Sequence, residues 1–338
     1  MHEAQFYQGR DEEGSVTCAL CHHRCRIRPG DRGICGVREN KSGVLVSLVY
    51  GRLVAENIDP IEKKPLLHFL PATRAYSIST VGCNFHCRHC QNFEISQAFH
   101  HSNGAISGLE RLPEQVIVEA TRQNCASVCY TYVEPTVFYE FAYDCACLAR
   151  EQGLKNIFVS NGYMMPEVTR KLAGVLDGIN IDIKAFTDEF YKKICKARLQ
   201  PVLDNVRLFY ELGVWVEVTT LLIPDLNDSE AELRQLARYV KSISPTIPWH
   251  VTAFYPTYLM QDRSSTSVSS LRRAREIGLE EGLQFVYEGN IPGAGGENTN
   301  CPRCGVELIS RFGFQVRVNR LRDGCCGSCG ERIAGVWC

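Results

Sequence analysis

At 338 residues the chain exceeds the usual single domain, so one large domain with smaller attachments is the natural expectation. Its 37 basic and 38 acidic residues leave a net charge of -1, which argues against nucleic acid or an anionic membrane as a partner. A hydrophobic content of 45% with 22% charged residues excludes a disordered or fibrous chain.

Residues 1–20 are polar and acidic, and nowhere does an apolar run approach the ~18 residues of a membrane span, so a cytoplasmic protein is expected. Eighteen cysteines without a secretory leader, most of them in local groups, point to reduced thiolates on metals rather than disulfides. The first group is Cys18, Cys21, Cys25 and Cys35, with gaps of 2, 3 and 9 residues. It permits either a four-thiolate zinc site, with His22 and His23 as spare ligands, or an auxiliary iron-sulfur cluster. This group defines an expected N-terminal Cys-rich module over 1–70, which ends in the charged stretch from Asp59 to Pro65.

A strand predicted over 76–81 runs straight into Gly82, Cys83, Cys87 and Cys90, and no further cysteine follows until Cys125. A cuboidal cluster takes one thiolate per iron, so three thiolates leave one iron open to a small chelating molecule. The alternative is a structural zinc completed by His86 or His89, both inside the loop.

From 76 to 288 short β-branched runs alternate with amphipathic ones, the rhythm of a parallel sheet with crossover helices. Strands are predicted over 76–81, 127–132, 156–160, 178–183, 214–222 and 250–254. Helices are predicted over 114–123, 136–152, 166–176, 203–212, 229–243 and 269–281, with Pro113, Pro166 and Ser229 as starts and Gly153 and Gly213 as stops. Six βα units are too few for a closed eight-stranded barrel, so a partial TIM-like (β/α)6 barrel over 71–290 is expected, with its chemistry at the strand ends. There the sequence places Glu134, Asn161, Asp182, Lys184, Thr219 and Tyr255. The competing structural reading has Glu134 begin a helix and Asp182 with Lys184 form the wet face of an edge strand. Cys125, Cys129, Cys145, Cys147 and Cys195 lie in apolar context and read as small buried hydrophobes.

The last group pairs Cys301 and Cys304 with Cys326 and Cys329 about twenty residues on, a zinc-ribbon spacing around a predicted hairpin. It marks an expected C-terminal zinc-ribbon-like module over 296–338. Cys325 competes as third ligand, and a rubredoxin-like iron is the alternative metal.

On these residues the chain resembles the radical S-adenosylmethionine (radical SAM) superfamily. Within it the chain is similar to the enzymes that activate glycyl-radical proteins such as pyruvate formate-lyase. The phrases from Cys18 to Cys21, Gly33 to Asn40, Asp59 to Pro65, Cys90 to Ser96, Tyr130 to Thr136 and Tyr287 to Asn290 further resemble the AmmeMemoRadiSam radical enzymes, named for association with Memo-type and Ammecr-type proteins. The resemblance implies a [4Fe-4S] cluster on Cys83, Cys87 and Cys90, with S-adenosylmethionine capping the open iron. It makes Glu134 the acidic end of the family's Gly-Gly-Glu motif, here Tyr132-Val-Glu-Pro135, which accepts from the methionyl amine. Asn161, Asp182, Lys184 and Tyr255 fall at cofactor- or substrate-contacting positions, with Asp182 and Lys184 also the catalytic candidates. The implied activity is reductive cleavage of the cofactor to a 5'-deoxyadenosyl radical that takes hydrogen from a protein or peptide, with reduced flavodoxin or ferredoxin as donor. Chemistry on a small metabolite, or a non-catalytic electron carrier or scaffold, are the competing readings.

Overall fold

In the computed structural model, which describes residues 2–101, 104–291, 293 and 295–338, the expected alternation becomes one eight-stranded sheet. Met1 of the expected N-terminal module and positions 102 and 103 of the expected core lie outside the described residues. The strands are β1 (Ala55–Pro60), β2 (Arg74–Ser79), β3 (Ser127–Tyr130), β4 (Lys155–Ser160), β5 (Gly178–Asp182), β6 (Trp215–Leu222), β7 (Trp249–Ala253) and β8 (Val286–Gly289). They stand side by side in chain order, β1 antiparallel to β2 and all later neighbours parallel. Six helices make the crossovers: α1 (Pro113–Arg122), α2 (Tyr139–Glu151), α3 (Pro166–Ala173), α4 (Gln200–Glu211), α5 (Glu230–Ile243) and α6 (Val268–Glu280). This is the partial α/β barrel with six βα units, completed by β8 as a seventh parallel strand. Among the described residues β1 and β8 do not pair, so the barrel stays open between them.

The punctuation acts as its chemistry requires. Ser229 caps α5 by accepting from the Glu232 amide, and Gly153 and Gly213 take positive φ just past α2 and α4. Strand periodicity then sorts the side chains: in β6, Thr219 and Leu221 face the central cavity while Val216 and Val218 join the hydrophobic core.

The floor of the barrel is a plug. Ile61, Leu66 and Phe69 form a dry cluster with Ala75 of β2, Cys129 of β3 and Ile157 of β4. Gly178 of β5 is required there, because a Cβ would stand 2.9 Å from the Phe69 ring. Both flanking segments tie onto this frame. Small strands at 7–8, 16–18 and 26–27 carry the first cysteine group, and the buried Arg38–Glu140 ion pair at 2.7 Å fastens that segment to α2. At the other end Thr299–Asn300, Glu307–Phe312 and Gln315–Asn319 form an antiparallel ribbon. From it Arg311 donates to the Leu67 carbonyl of the plug at 2.7 Å. No described helix is long and apolar enough to cross a membrane.

Candidate active site

At the carboxyl ends of the strands lies a cavity of about 690 Å³, lined by residues from the loop after β2 round to the segment after β8. Volumes of about 300–1,000 Å³ are those of built small-molecule sites. Cys83, Cys87 and Cys90 line one part of it, and Glu134, Asn161, Asp182 and Lys184 line another.

The cysteine loop is held by backbone bonds rather than by regular structure. Gly82 enters it at φ +96, where a Cβ would meet Val37 at 2.5 Å. His86 and Arg88 donate their amides to the carbonyls of Cys195 and Ile194 at 3.0 and 3.1 Å. Those carbonyls belong to a single π-helical turn, Tyr191–Cys195, a local widening that often marks functional sites. The Phe85 amide donates to the Cys83 sulfur at 3.4 Å, and the Ser96 hydroxyl lies 3.2 Å from the Cys90 sulfur. Cys195, read from the sequence as a buried hydrophobe, is indeed buried, and it neighbours Cys87 closely enough to push the Cys87 thiol up. His89 is buried, and among the described residues its Nδ1 finds no partner; burial and nearby Lys184 push its pKa down to about 3.

Glu134 both caps and lines. Its Oε1 accepts from the Thr136 amide and hydroxyl at 3.1 and 2.5 Å and from Ser160 at 2.8 Å, while among the described residues Oε2 accepts only the Asn161 amide at 2.7 Å. A carboxylate has about four acceptor positions, so Oε2 has room for one more donor. Burial pushes the carboxyl above its ordinary value, against the pull of these donors. Asn161 is locked in turn, donating to Asn84 Oδ1 at 2.7 Å. Asp182 and Lys184 pair at 2.9 Å at the end of β5, an interior strand, so they are not the wet face of a sheet edge. Burial opposes the Lys184 charge, but Asp182 together with the Cys87 and Cys195 sulfurs outweighs it and holds the ammonium well above its ordinary range. Tyr255 is not gathered with them. It is 47% exposed, and its hydroxyl donates to the Asn290 carbonyl at 2.9 Å.

Sequence reasoning missed a further polar group in the cavity. Tyr132, in the left-handed region at φ +66, donates its hydroxyl to Asp59, which also takes Lys64 at 2.5 Å and Lys63 at 2.8 Å. Lys64 lies 4.6 Å over the Tyr132 ring. Deeper down, Glu217 accepts from His250 at 2.6 Å and from the amides of Leu67 and His68. The charged run from Asp59 to Pro65 was the only hint of the first group; nothing short-range marks the second.

The cysteine groups differ in spacing. Cys301 and Cys329 sulfurs lie 3.6 Å apart and Cys304 and Cys326 sulfurs 3.7 Å. Among the described residues this quartet is the one group of three or more Cys, His, Asp or Glu whose ligand atoms close to within 4.8 Å of one another. Cys325 turns away toward the Asp323 carbonyl. Cys18, Cys21, Cys25 and Cys35 line one small pocket of their own.

Comparison with known proteins agrees with this geometry. The family model described as the Radical SAM superfamily matches residues 77–237. An uncharacterized protein of Methanocaldococcus jannaschii is 44% identical over 336 residues, covering 98% of this chain and 99% of its own. The pyruvate formate-lyase-activating enzyme of Clostridium pasteurianum is 25% identical over 219 residues, 61% of this chain and 89% of its own. Among solved structures, Streptococcus suis SuiB bound to precursor peptide SuiA superposes with a TM-score of 0.51 at 15% identity, over 68% of this chain and 51% of that one, a likeness of fold. A cysteine triad following the first parallel strand, a polar ring at the remaining strand ends and these relatives converge on one conclusion: the chain is an enzyme of the radical SAM superfamily, whose cofactors are an iron-sulfur cluster and S-adenosylmethionine.

Proposed function

We propose that Cys83, Cys87 and Cys90 hold a [4Fe-4S] cluster, that S-adenosylmethionine fills the open iron, and that the enzyme abstracts hydrogen from a protein or peptide. The observation that carries this is one cavity of about 690 Å³ lined by the three thiols together with Glu134, Asn161, Asp182 and Lys184. The residues fit the two cofactors. The triad does not close to zinc spacing, donors already point at its sulfurs, and the buried Thr219 Oγ1 and His89 Nδ1 line the same space without partners among the described residues. When bound, the cluster supplies one electron to S-adenosylmethionine, whose carbon–sulfur bond breaks to methionine and a 5'-deoxyadenosyl radical that takes the substrate hydrogen.

The chain's own residues do the positioning. Glu134, fixed by four internal donors, offers Oε2 to an amine. Lys184, held by Asp182, offers a cation for a carboxylate or for negative charge near the cluster. Asn161 keeps the Glu134 loop and the cysteine loop in register through Asn84. The plug sets an apolar layer beneath the barrel. With the cofactors inside, the remaining volume suits one residue of a substrate whose bulk stays outside, and the activating enzyme similar to this chain is named for action on a protein. Memo-type or Ammecr-type proteins are the partners to try, with reduced flavodoxin or ferredoxin as donor in the cytoplasm. We assign the ribbon quartet to zinc, from its sulfur spacing. We divide the chain into an N-terminal module (1–70), the barrel (71–290) and the ribbon module (296–338), with β1 contributed to the sheet by the first of these.

Titration of anaerobically reconstituted protein with S-adenosylmethionine, followed by assay of 5'-deoxyadenosine, tests the reading. Cluster spectra indifferent to the cofactor and no cleavage would leave only a carrier or scaffold. Deuterium transfer from labelled candidate proteins, set against small metabolites, decides the substrate class.

A further inference from the structure

The N-terminal cysteines are not spaced like the ribbon's. Zn–S bonds of about 2.3 Å in a tetrahedron bring ligand sulfurs to about 3.8 Å, and the ribbon quartet already stands at 3.6 and 3.7 Å. Cys18, Cys21, Cys25 and Cys35, even with His22 and His23, do not close to 4.8 Å; the triad behaves in the same way. The four instead surround a void of about 20 Å³. That exceeds the roughly 10–15 Å³ one water needs, whereas four thiolates on one zinc leave no such space between them. Apolar side chains of Leu20, Ile27, Ile34 and Val137 share the lining with the polar His23, Asn84, Thr136 and Arg38. Arg38 is 1% exposed and lines the void, and among the described residues its Nε–H has no acceptor although its other nitrogens are bonded. An unspent buried donor in the same lining as four thiols suits an anionic occupant with acceptor atoms of its own, which the sulfides of a cube provide.

We infer that these four cysteines hold a second, fully thiolate-ligated four-iron cluster, placed to pass electrons to the cysteine triad. The two sites are neighbours along the chain and in space. Asn84, next to Cys83, lines the N-terminal pocket, and its carbonyl lies 2.8 Å from His23 Nε2. Across from it, a Cβ at Gly82 would stand 2.9 Å from the Cys35 carbonyl. With all four irons ligated this cluster has no place for substrate, which leaves electron transfer. A one-electron carrier of flavin or iron-sulfur type is oxidised as the pocket's cluster is reduced; that cluster is reoxidised as the triad's is reduced, and no bond or proton changes. Only this transfer rests on the triad holding a cluster; the second site does not.

Metal and sulfide content of the full chain, reconstituted without air, tests it. The expected result is about eight iron, about eight sulfide and about one zinc per chain. The variant C83A/C87A/C90A should keep about four iron, and C18S/C25S should lose about four. About four iron with two zinc in the unmodified chain, or a triad variant without iron, overturns the second cluster; the metal content of the unmodified chain is decisive even if a variant fails to fold. About four iron that survive the triad variant and vanish in C18S/C25S keep the second cluster but sink the triad reading and the transfer with it. In the doubly reduced protein the two paramagnetic centres should split each other's electron-spin resonance, and unsplit spectra overturn the transfer.

Discussion

Glu134 shows how one side chain serves two tasks. As the cap of the Pro135–Phe138 turn it satisfies an orphan amide, and the same fixed carboxylate presents a free acceptor position to the cavity. Removing the whole side chain orphans four donors, so Glu134→Gln is the cleaner probe. It should keep the iron content and weaken S-adenosylmethionine binding by about 10- to 100-fold, the worth of one charge-assisted bond, as read by equilibrium titration. Each of Cys83→Ala, Cys87→Ala and Cys90→Ala should abolish both cluster and cofactor cleavage. Cys195 needs its own measurement because it is a fourth thiol close enough to perturb Cys87. Cys195→Ala should retain full iron and a cofactor-responsive spectrum; loss of iron would make Cys195 a ligand and close the open site. The triad, Glu134 and the Asp182–Lys184 pair were legible because short-range spacing and strand-end position carry them. Cys195 was not: its role depends on a π-helical turn that no local pattern announces.

Among the elements, the six strands and six helices with strong periodicity were readable, and the two edge strands were not. β1 is Ala-Glu-Asn-Ile-Asp-Pro, a poor strand on propensity, and it exists because every residue from Ala55 to Pro60 pairs with β2. β8 is four residues long and was read as a motif rather than a strand. The plug between β1 and β2 was equally silent, and it holds the clearest pH-sensitive group. His68 Nδ1 lies 2.7 Å from the Ala334 carbonyl, so that nitrogen carries the proton and Nε2 accepts from Tyr287 at 2.5 Å. Burial pushes its pKa down to about 4. A histidine depressed in the fold takes its proton first when unfolded. Its stabilising effect is therefore complete above about pH 6.5 and fades as pH falls toward 4, by on the order of 3 kcal/mol. Urea melts between pH 7 and 4.5 should show this slope, and His68→Gln should flatten it; equal slopes would remove His68 as the cause.

At the scale of the molecule, both flanking segments are bolted to the barrel by buried polar contacts. In the first the Arg38–Glu140 pair is fully buried, with Arg38 also donating to the Gln5 carbonyl at 2.7 Å. Breaking such a pair strands a charge, so Glu140→Gln should cost roughly 3–5 kcal/mol in denaturant melts, and a loss under about 1 kcal/mol would show that solvent reaches Arg38. In the second the ribbon grips the plug and lends Gly313 and Phe314 to the cavity rim. Cys301→Ser, or chelation of the ribbon metal, should lower the melting temperature by several degrees while leaving uncoupled 5'-deoxyadenosine formation within about twofold. Cleavage lost from a chain that still melts normally would give the ribbon a direct part in the chemistry. The grip has a temporal meaning as well. His68 meets Ala334 across 266 positions, and Phe69 bridges to Val336, so the base under the lumen gains an outer brace from far along the chain, although Ile61, Leu66 and Phe69 meet the early strands much sooner. A nascent polypeptide halted after β8 would carry that inner layer without the ribbon's brace, so the last segment is expected to steady the vessel rather than to close it.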